Sequence, residues 1–193
     1  MNRFFRMALL AGLGAMAAVS IAHAYEIDPL TRQPLMADVD PSKAQATAIP
    51  REVVSYNSSQ RPGTIVINTS ERRLYFVLPD GKAMRYGVGV GRPGFDWAGA
   101  QTITRKAEWP SWTPPSQMLK RRPDLPRFMP GGPENPLGAR AMYLGSTLYR
   151  IHGSNEPETI GQAVSSGCIR MLNEDVIDLY ERAKVGTRVV VAR

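Results

Sequence analysis

Short apolar runs with alternating polar positions dominate the chain from residue 64 onward. Residues 64–68, 74–78 and 83–90 are rich in β-branched and aromatic side chains, and turn-forming Asn-Thr-Ser and Pro-Asp-Gly sequences separate them. This spacing predicts a β-meander. Further short strands are predicted at 102–104, 141–144, 148–151 and 188–192.

One segment near the C-terminus follows a helical period instead. Its apolar residues recur every three or four positions on one face: Val176, Leu179, Tyr180 and Ala183. Asn173 is predicted to be the N-cap, because Asn side chains accept hydrogen bonds from the free amides of a first turn, and Gly186 is predicted to end the helix. Many short strands with one clear helix predict a mainly β (β-rich α+β) domain rather than alternating βαβ units.

A glycine-rich run at 87–91 is superficially similar to a dinucleotide-binding turn. It lacks the third glycine at the required spacing, and a Pro-Gly pair at 93–94 stands where the helix of such a site would begin. We therefore discount a dinucleotide site at this position.

The first 24 residues have the pattern of a secretory signal peptide. Arg3 and Arg6 supply a positive start, residues 7–21 are apolar, and an Ala-His-Ala sequence supplies a cleavage site after Ala24. The alternative, an uncleaved anchor, needs about 20 apolar residues to span a bilayer, and this run is shorter. We expect the protein to be exported to the periplasm. The predicted segments are a signal peptide at 1–24, an N-terminal tether or extension at 25–60 and a folded domain at 61–193.

Composition excludes several classes of protein. Of the 193 residues, 43% are hydrophobic and 21% are charged, which is typical of a soluble globular protein and not of a disordered or multi-span membrane chain. One Cys and two His can form neither an internal disulfide nor a zinc site with several Cys ligands. We therefore expect no structural metal site.

Eight of the 16 prolines lie between residues 108 and 136, a stretch without convincing periodicity. Its large apolar side chains, which include Trp109, Trp112 and Phe128, need buried partners, so we expect the stretch to be ordered. We predict a lid or a substrate-wall loop, and the alternative is a purely structural Ω-loop.

Basic residues are concentrated in the same region. The chain has a formal net charge of +7, and residues 101–150 contain eight basic side chains against three acidic ones. A localised basic surface favours an anionic substrate or polymer, and the alternative is a solvated charged face. The sequence contains no nucleic-acid-binding motif, so nucleic acid is not expected as a partner.

His152 and Cys168 carry the candidate chemistry. If the predicted signal peptide is removed, His152 is the one remaining imidazole and Cys168 is the one thiol. A thiol with the ordinary pKa of about 8.5 needs a neighbouring base or cation to act as a nucleophile at pH 7. Gly167 permits a tight turn whose backbone N–H groups can face an oxyanion, and Arg170 adds positive charge. The alternative for Cys168 is a small buried apolar residue.

The residues around these two side chains resemble a known family. Ile-His-Gly-Ser at 151–154, followed by Ser-Gly-Cys-Ile-Arg-Met at 166–171, is similar to the signature of the L,D-transpeptidase catalytic domain, the YkuD-like family. The similarity extends from residue 64 to residue 192. It implies a YkuD-like β-sandwich with one principal helix after the Cys and a Pro-rich lid loop, so that 61–193 is the catalytic domain. Ser154 stands where many members have Thr, which keeps a hydroxyl.

The resemblance also implies roles for individual residues. Cys168 is implied as the nucleophile and His152 as the general base and acid, with the backbone carbonyl of Gly153 orienting the imidazole. The implied oxyanion or pocket residues are Gly167, Ser166 and Arg170, and the predicted substrate-binding residues are Tyr143 and Trp112. Neither a metal nor an organic cofactor is implied.

The implied reaction is a two-step acyl transfer on the stem peptides of peptidoglycan. The Cys forms a thioester with an L-centre of a donor stem and releases a terminal D-alanine, and an amine then resolves the thioester. A diaminopimelate amine of a second stem gives a 3→3 cross-link, and an outer-membrane protein is the other implied acceptor. Three hypotheses stay open: an L,D-transpeptidase, an L,D-carboxypeptidase or cross-link hydrolase on the same scaffold, and a non-catalytic wall-binding domain.

Overall fold

A computed structural model describes residues 49–193, and the predicted signal peptide and most of the predicted tether lie outside the described residues. The strands are β1 (Glu52–Ser55), β2 (Ile65–Asn68), β3 (Arg73–Leu78), β4 (Lys82–Gly87), β5 (Val90–Gly91), β6 (Gly99–Glu108), β7 (Arg140–Leu144), β8 (Arg150–His152), β9 (Ala163–Ser165), β10 (Ile169–Arg170) and β11 (Arg188–Ala192). The helices are α1 (Ser116–Arg121), α2 (Asn173–Arg182) and one 3-10 turn (Pro157–Thr159). Within 49–193, no helix is long and apolar enough to cross a membrane.

Nine strands form one mixed sheet that curls into a half-barrel. Their order is β1-β4-β3-β2-β11-β6-β7-β8-β10. β2 pairs with β11, and β8 pairs with β10, in parallel, whereas the other neighbours in this sheet are antiparallel. β5 and β9 form a separate parallel pair. The C-terminal strand β11 therefore lies inside the sheet, between β2 and β6.

The core combines aliphatic side chains from the central strands with one face of α2. Ile65, Leu74 and Ile103 are fully buried, and Val176 and Leu179 of the helix belong to the same cluster. Burying each such side chain stabilises the fold by about 1.5–3 kcal/mol. The apolar face predicted for the late helix therefore joins α2 to the sheet.

The prediction of a mainly β domain with one principal helix after the Cys is confirmed. The predicted strands at 64–68, 74–78, 141–144 and 188–192 match β2, β3, β7 and β11 to within one residue at each end. The strand predicted at 102–104 is part of the longer β6, and the strand predicted at 148–151 is β8, which begins later. Strands β9 and β10 are not predicted, because three and two residues are too few to show an alternation, and β1 lies in the polar segment that is predicted to be a tether.

The strand predicted at 83–90 is interrupted. It divides into β4, which ends at Gly87, and β5, which begins at Val90. Between them, the backbone N–H and carbonyl of Gly89 pair with the carbonyl and N–H of Arg170, both at 2.9 Å. This pairing with Arg170 places Gly89 beside the segment that follows Cys168, so the chain leaves the β-meander at this point.

Asn173 is not the N-cap that the sequence predicts. Leu172 occupies that position without a side-chain cap, and Asn173 is the first residue of α2. The Asn173 Oδ1 accepts a hydrogen bond from the Ala139 N–H at 3.0 Å, and its Nδ2 donates to the Ser154 carbonyl at 3.1 Å. A Cβ at Gly153 would overlap this Oδ1, so the side chain of Asn173 fills the space that the glycine leaves. The tertiary hydrogen bonds replace the local cap and tie α2 to the segment after His152.

The opposite end of α2 is capped by a lysine from the sheet. Lys106 Nζ donates hydrogen bonds to the carbonyl oxygens of Tyr180 at 2.6 Å and Ala183 at 2.8 Å. The same ammonium lies 3.8 Å from the centroid of the Tyr180 ring. A positive charge at a helix C-terminus satisfies free carbonyls and interacts favourably with the helix dipole.

Replacing Lys106 with Met keeps the apolar stem and removes these hydrogen bonds. We expect Lys106→Met to lower the free energy of unfolding by about 1–3 kcal/mol, measured by urea denaturation. The control is Lys184→Met, because Lys184 is exposed in the loop after α2. Equal stability of the two variants would show that the lysine cap contributes nothing.

Candidate active site

His152 is the last residue of β8 and has a strand on each side. It lies opposite Ala141 of β7 and in register with Arg170 of β10. The residue is only 4% exposed, and its Nδ1 lies 2.6 Å from the carbonyl oxygen of Gly153. Because a carbonyl oxygen can only accept, Nδ1 carries the proton in the neutral ring, and Nε2 is left as the basic nitrogen.

Cys168 lies in the tight connection between β9 and β10. The Ser165 Oγ accepts a hydrogen bond from the Gly167 N–H at 3.0 Å and donates to the Cys168 carbonyl at 2.6 Å. Gly167 has φ +104°, and a Cβ there would overlap the Tyr149 ring. Glycine is therefore required at this position both by the backbone conformation and by the space available.

The Gly167 N–H, one of the backbone N–H groups that the sequence leads us to expect near an oxyanion, donates a hydrogen bond to Ser165 Oγ. The Cys168 N–H, in contrast, makes no hydrogen bond to any residue that the structure describes. The thiol itself is half-buried, and its Sγ donates to the Leu148 carbonyl oxygen at 3.7 Å. The nucleophile candidate is thus a thiol held against the segment that leads into the strand that carries His152.

Trp97 holds the Cys168 turn from the other side. Its indole Nε1 donates to the Gly167 carbonyl at 2.8 Å. Its ring stacks on Tyr149, with centroids 4.6 Å apart and an interplanar angle of 5°. The loop between β5 and β6 therefore fixes the turn through one hydrogen bond and one aromatic stack.

His152 and Cys168 line one cavity of about 390 Å³. The Pro-rich segment supplies one wall through Trp112, Pro115, Gln117, Met118, Arg121 and Pro136. The short helix α1 belongs to this wall. The Pro-rich segment, which lacks periodicity in the sequence, therefore contains about one and a half turns of helix. Its position supports the predicted substrate-wall loop over an Ω-loop remote from the site.

The cavity disfavours charge on both reactive groups. The pKa of His152 is lowered to about 3, mainly by burial and also by the positive charges of Arg170 and Arg150, against the hydrogen bond to Gly153. Burial raises the pKa of the Cys168 thiol, while Arg150 and Arg170 act to lower it. The resting pair at neutral pH is therefore a neutral imidazole and a neutral thiol, not an imidazolium and a thiolate.

The other predicted site residues fall into two groups. Trp112, Ser166 and Arg170 line the cavity. Ser166 Oγ accepts a hydrogen bond from Arg92 Nη1 at 3.1 Å, and Arg170 Nη1 forms an ion pair with Glu156 at 2.6 Å. Tyr143 is not among the lining residues.

Tyr143 lies in a row with two arginines instead. It is paired in register with Arg105 of β6 and with Arg150 of β8. The guanidinium carbon of Arg105 lies 3.6 Å from the centroid of the Tyr143 ring, and that of Arg150 lies 5.1 Å away. Any effect of Tyr143 on the cavity must therefore act through a neighbouring residue.

Sequence reasoning missed several lining residues. Phe95, Leu148, Tyr149 and Arg150 all line the cavity. The sequence could have indicated Arg150 as a site residue. It lies two residues before His152 in an extended segment, and side chains two positions apart in a strand share one face. No sequence pattern indicates Phe95, because only the folded chain places it in the cavity that Cys168 lines.

Metal ligands are sparse in this region. Within the described residues, no group of three or more His, Cys, Asp or Glu side chains is placed to hold a metal ion.

Comparison with known proteins identifies the family of this chain. Residues 62–191 match the family model for the L,D-transpeptidase catalytic domain, YkuD. The chain belongs to this family.

Curated relatives carry the same description. The chain is 38% identical over 160 residues to the probable L,D-transpeptidase ErfK/SrfK of Escherichia coli K12, covering 78% of this chain and 50% of the relative. It is 42% identical over 135 residues to the probable L,D-transpeptidase YbiS of the same strain, covering 65% and 43% respectively. The chain therefore spans about half the length of the curated relatives it matches.

Solved structures share the fold. An L,D-transpeptidase from Mycobacterium smegmatis aligns with a TM-score of 0.55 at 16% identity, over 67% of this chain and 58% of that one. A structure from Brucella melitensis, described as a probable carnitine operon oxidoreductase, aligns with a TM-score of 0.52 at 44% identity, over 79% of this chain and 99% of that one.

The neutral state of the pair predicts the pH dependence of Cys168 alkylation. Iodoacetamide reacts with the thiolate, and a raised thiol pKa moves thiolate formation to higher pH. We expect the second-order rate to keep rising above about pH 8.5, where a free thiol is half ionised, with N-acetylcysteine as the control. A rate plateau between about pH 5 and 8 would instead indicate a stable thiolate–imidazolium pair.

Proposed function

We propose that this chain is a cysteine-dependent L,D-transpeptidase that acts on peptidoglycan stem peptides. The observation that carries the proposal is that His152 and Cys168 line one cavity, with the His152 tautomer set by the Gly153 carbonyl. An oriented base and a thiol that line the same cavity are what acyl transfer through a thioester needs. Family membership supports the same reaction.

In the first step, His152 Nε2 takes the proton of the Cys168 thiol as Sγ attacks the carbonyl carbon of the amide between an L-centre and a terminal D-alanine. The tetrahedral oxyanion collapses, the C–N bond breaks, and the imidazolium of His152 gives its proton to the leaving amine. D-alanine departs and a thioester remains on Cys168. Starting from a neutral pair, the imidazolium exists only while the proton is in transit.

In the second step, an acceptor amine attacks the thioester carbonyl. Nε2 of His152 removes a proton from that amine, the C–S bond breaks, and the proton returns to Sγ of Cys168. A diaminopimelate side-chain amine as acceptor gives a 3→3 cross-link, and an amine of an envelope protein gives attachment of that protein to the wall.

The free backbone N–H of Cys168 is the oxyanion donor in this proposal. It belongs to the attacking residue, so it moves with the sulfur and lies close to the carbon that Sγ attacks. The Gly167 N–H acts indirectly, because its hydrogen bond to Ser165 holds the turn.

The charge of the cavity suits stem peptides, which carry free carboxylates. Three arginines line it: Arg121, Arg150 and Arg170. The Glu156 carboxylate neutralises Arg170, whereas Arg121 and Arg150 have no carboxylate within ion-pair distance among the described residues. We place the action of the protein in the periplasm, on the basis of the signal-peptide pattern at 1–24 and of this substrate.

Product analysis tests the function. Purified protein is incubated with a tetrapeptide-stem muropeptide, and products are followed by mass spectrometry beside Cys168→Ala and His152→Gln. We expect a dimer that has lost one D-alanine, at least about 1,000-fold slower in both variants, because neither has a complete nucleophile and base.

Two other outcomes would overturn the transpeptidase reaction. A tripeptide monomer without dimer would show that water resolves the thioester, as in an L,D-carboxypeptidase. Binding of the muropeptide without turnover in the native protein would support a wall-binding domain.

A further inference from the structure

Arg150 and the Cys168 thiol meet at one backbone oxygen. The Leu148 carbonyl accepts a hydrogen bond from Arg150 Nη1 at 3.3 Å and from Cys168 Sγ at 3.7 Å. All three residues line the cavity with His152. The guanidinium is therefore the cation that shares a hydrogen-bond acceptor with the sulfur.

The charge of Arg150 is not neutralised by a carboxylate. Among residues 49–193, Arg150 has no acidic partner within ion-pair distance, whereas Arg170 is paired with Glu156 at 2.6 Å and Arg140 with Glu108 at 3.2 Å. The Nε of Arg150 is also buried without a hydrogen-bond partner in the described part of the chain. A buried N–H donor without a hydrogen-bond partner stabilises a negative charge that forms nearby.

The sheet register holds Arg150 in this place. Arg105, Tyr143 and Arg150 are direct neighbours on β6, β7 and β8. The two guanidinium groups both contact the Tyr143 ring, a stabilising cation–π arrangement. Arg105 is exposed and does not line the cavity, so only one end of the row reaches the site.

We propose that Arg150 is a catalytic residue that stabilises negative charge on the Cys168 sulfur, and that Tyr143 is its positioning residue. The role rests on the proposed function, in which Cys168 is the nucleophile. When the thiol proton passes to His152 Nε2, the S–H···O hydrogen bond to Leu148 is lost and the sulfur carries the charge. The guanidinium, which is bonded to the same Leu148 oxygen, transfers no proton and stays in place while the Sγ–C bond forms.

Several other titratable or charged groups face the site from the elements packed around it. They are His152 on β8, Arg170 on β10 with its partner Glu156, Arg92 at Ser166 and Arg121 on α1. Arg150 is the largest charge contribution that lowers the pKa of Cys168, whereas Arg170 exceeds Arg150 in lowering the pKa of His152. Arg150 therefore acts more selectively on the sulfur than Arg170 does.

Alkylation of Cys168 tests this role without any stem peptide. The chain has one Cys, so iodoacetamide labelling of the full protein reports on this thiol alone. We expect Arg150→Gln to slow alkylation about tenfold at pH 7, which corresponds to a thiol pKa about one unit higher. Arg150→Lys should restore most of the rate. The matched control is Arg105→Gln, which removes the other cation on the Tyr143 ring and should leave the rate within about twofold.

Two substitutions of Tyr143 test positioning separately from charge. Tyr143→Phe keeps the ring and should alkylate like the native protein, whereas Tyr143→Leu should slow alkylation in the same direction as Arg150→Gln. Circular dichroism melting identifies any variant that is not folded.

An alkylation rate unchanged in folded Arg150→Gln would overturn the proposal. If that variant instead raised only the KM for a donor stem, Arg150 would be a carboxylate-binding residue and not a stabiliser of the sulfur. Because the alkylation assay needs no turnover, failure of this role is distinguishable from failure of the transpeptidase function.

Discussion

The parallel pairing of β8 with β10 is the contact on which the site depends. Ile151 is in register with Ile169 and His152 with Arg170, and the His152 carbonyl accepts the Met171 N–H at 2.8 Å. Two short strands thereby bring together side chains that are 16 positions apart in the sequence. Parallel strands need a crossover, and residues 153–168 form it, with the Cys168 turn at its end. The candidate catalytic pair is thus mounted at one edge of the nine-stranded sheet.

Elements around this pairing limit how far it can move. Asn173 ties the start of α2 to the segment after His152, and Trp97 holds the Gly167 carbonyl. The aliphatic core below, with Ile151 and Ile169 nearly inaccessible to solvent, resists separation of the two strands. Burial also keeps the imidazole and the thiol neutral at rest. In the proposed mechanism, the two side chains are charged only during proton transfer. The Cys168 N–H and the neighbouring arginines can then stabilise the negative charge.

Local motifs indicated the candidate catalytic residues because the residues that flank each of them are contiguous in the chain. Strands β2, β3, β7 and β11 and the amphipathic face of α2 could also be predicted, since each depends on a pattern within one segment. Asn173 shows where a local rule fails: its side chain prefers two tertiary hydrogen bonds to capping the helix. Trp97 lies 70 residues from Gly167, and Tyr143 reaches the cavity only through Arg150, so neither contact has a sequence period that reveals it. The shared acceptor at Leu148 is likewise a property of the folded backbone.

The central claim is that Cys168 carries the acyl group of a donor stem. The direct measurement uses a tetrapeptide donor whose diaminopimelate amine is acetylated, so that it can donate but cannot accept, followed by acid quenching and intact-protein mass spectrometry. The account predicts a mass increase equal to the donor minus D-alanine, mapped by peptide digestion to Cys168. An unmodified Cys168 after D-alanine has been released, or an adduct on another side chain, would contradict it.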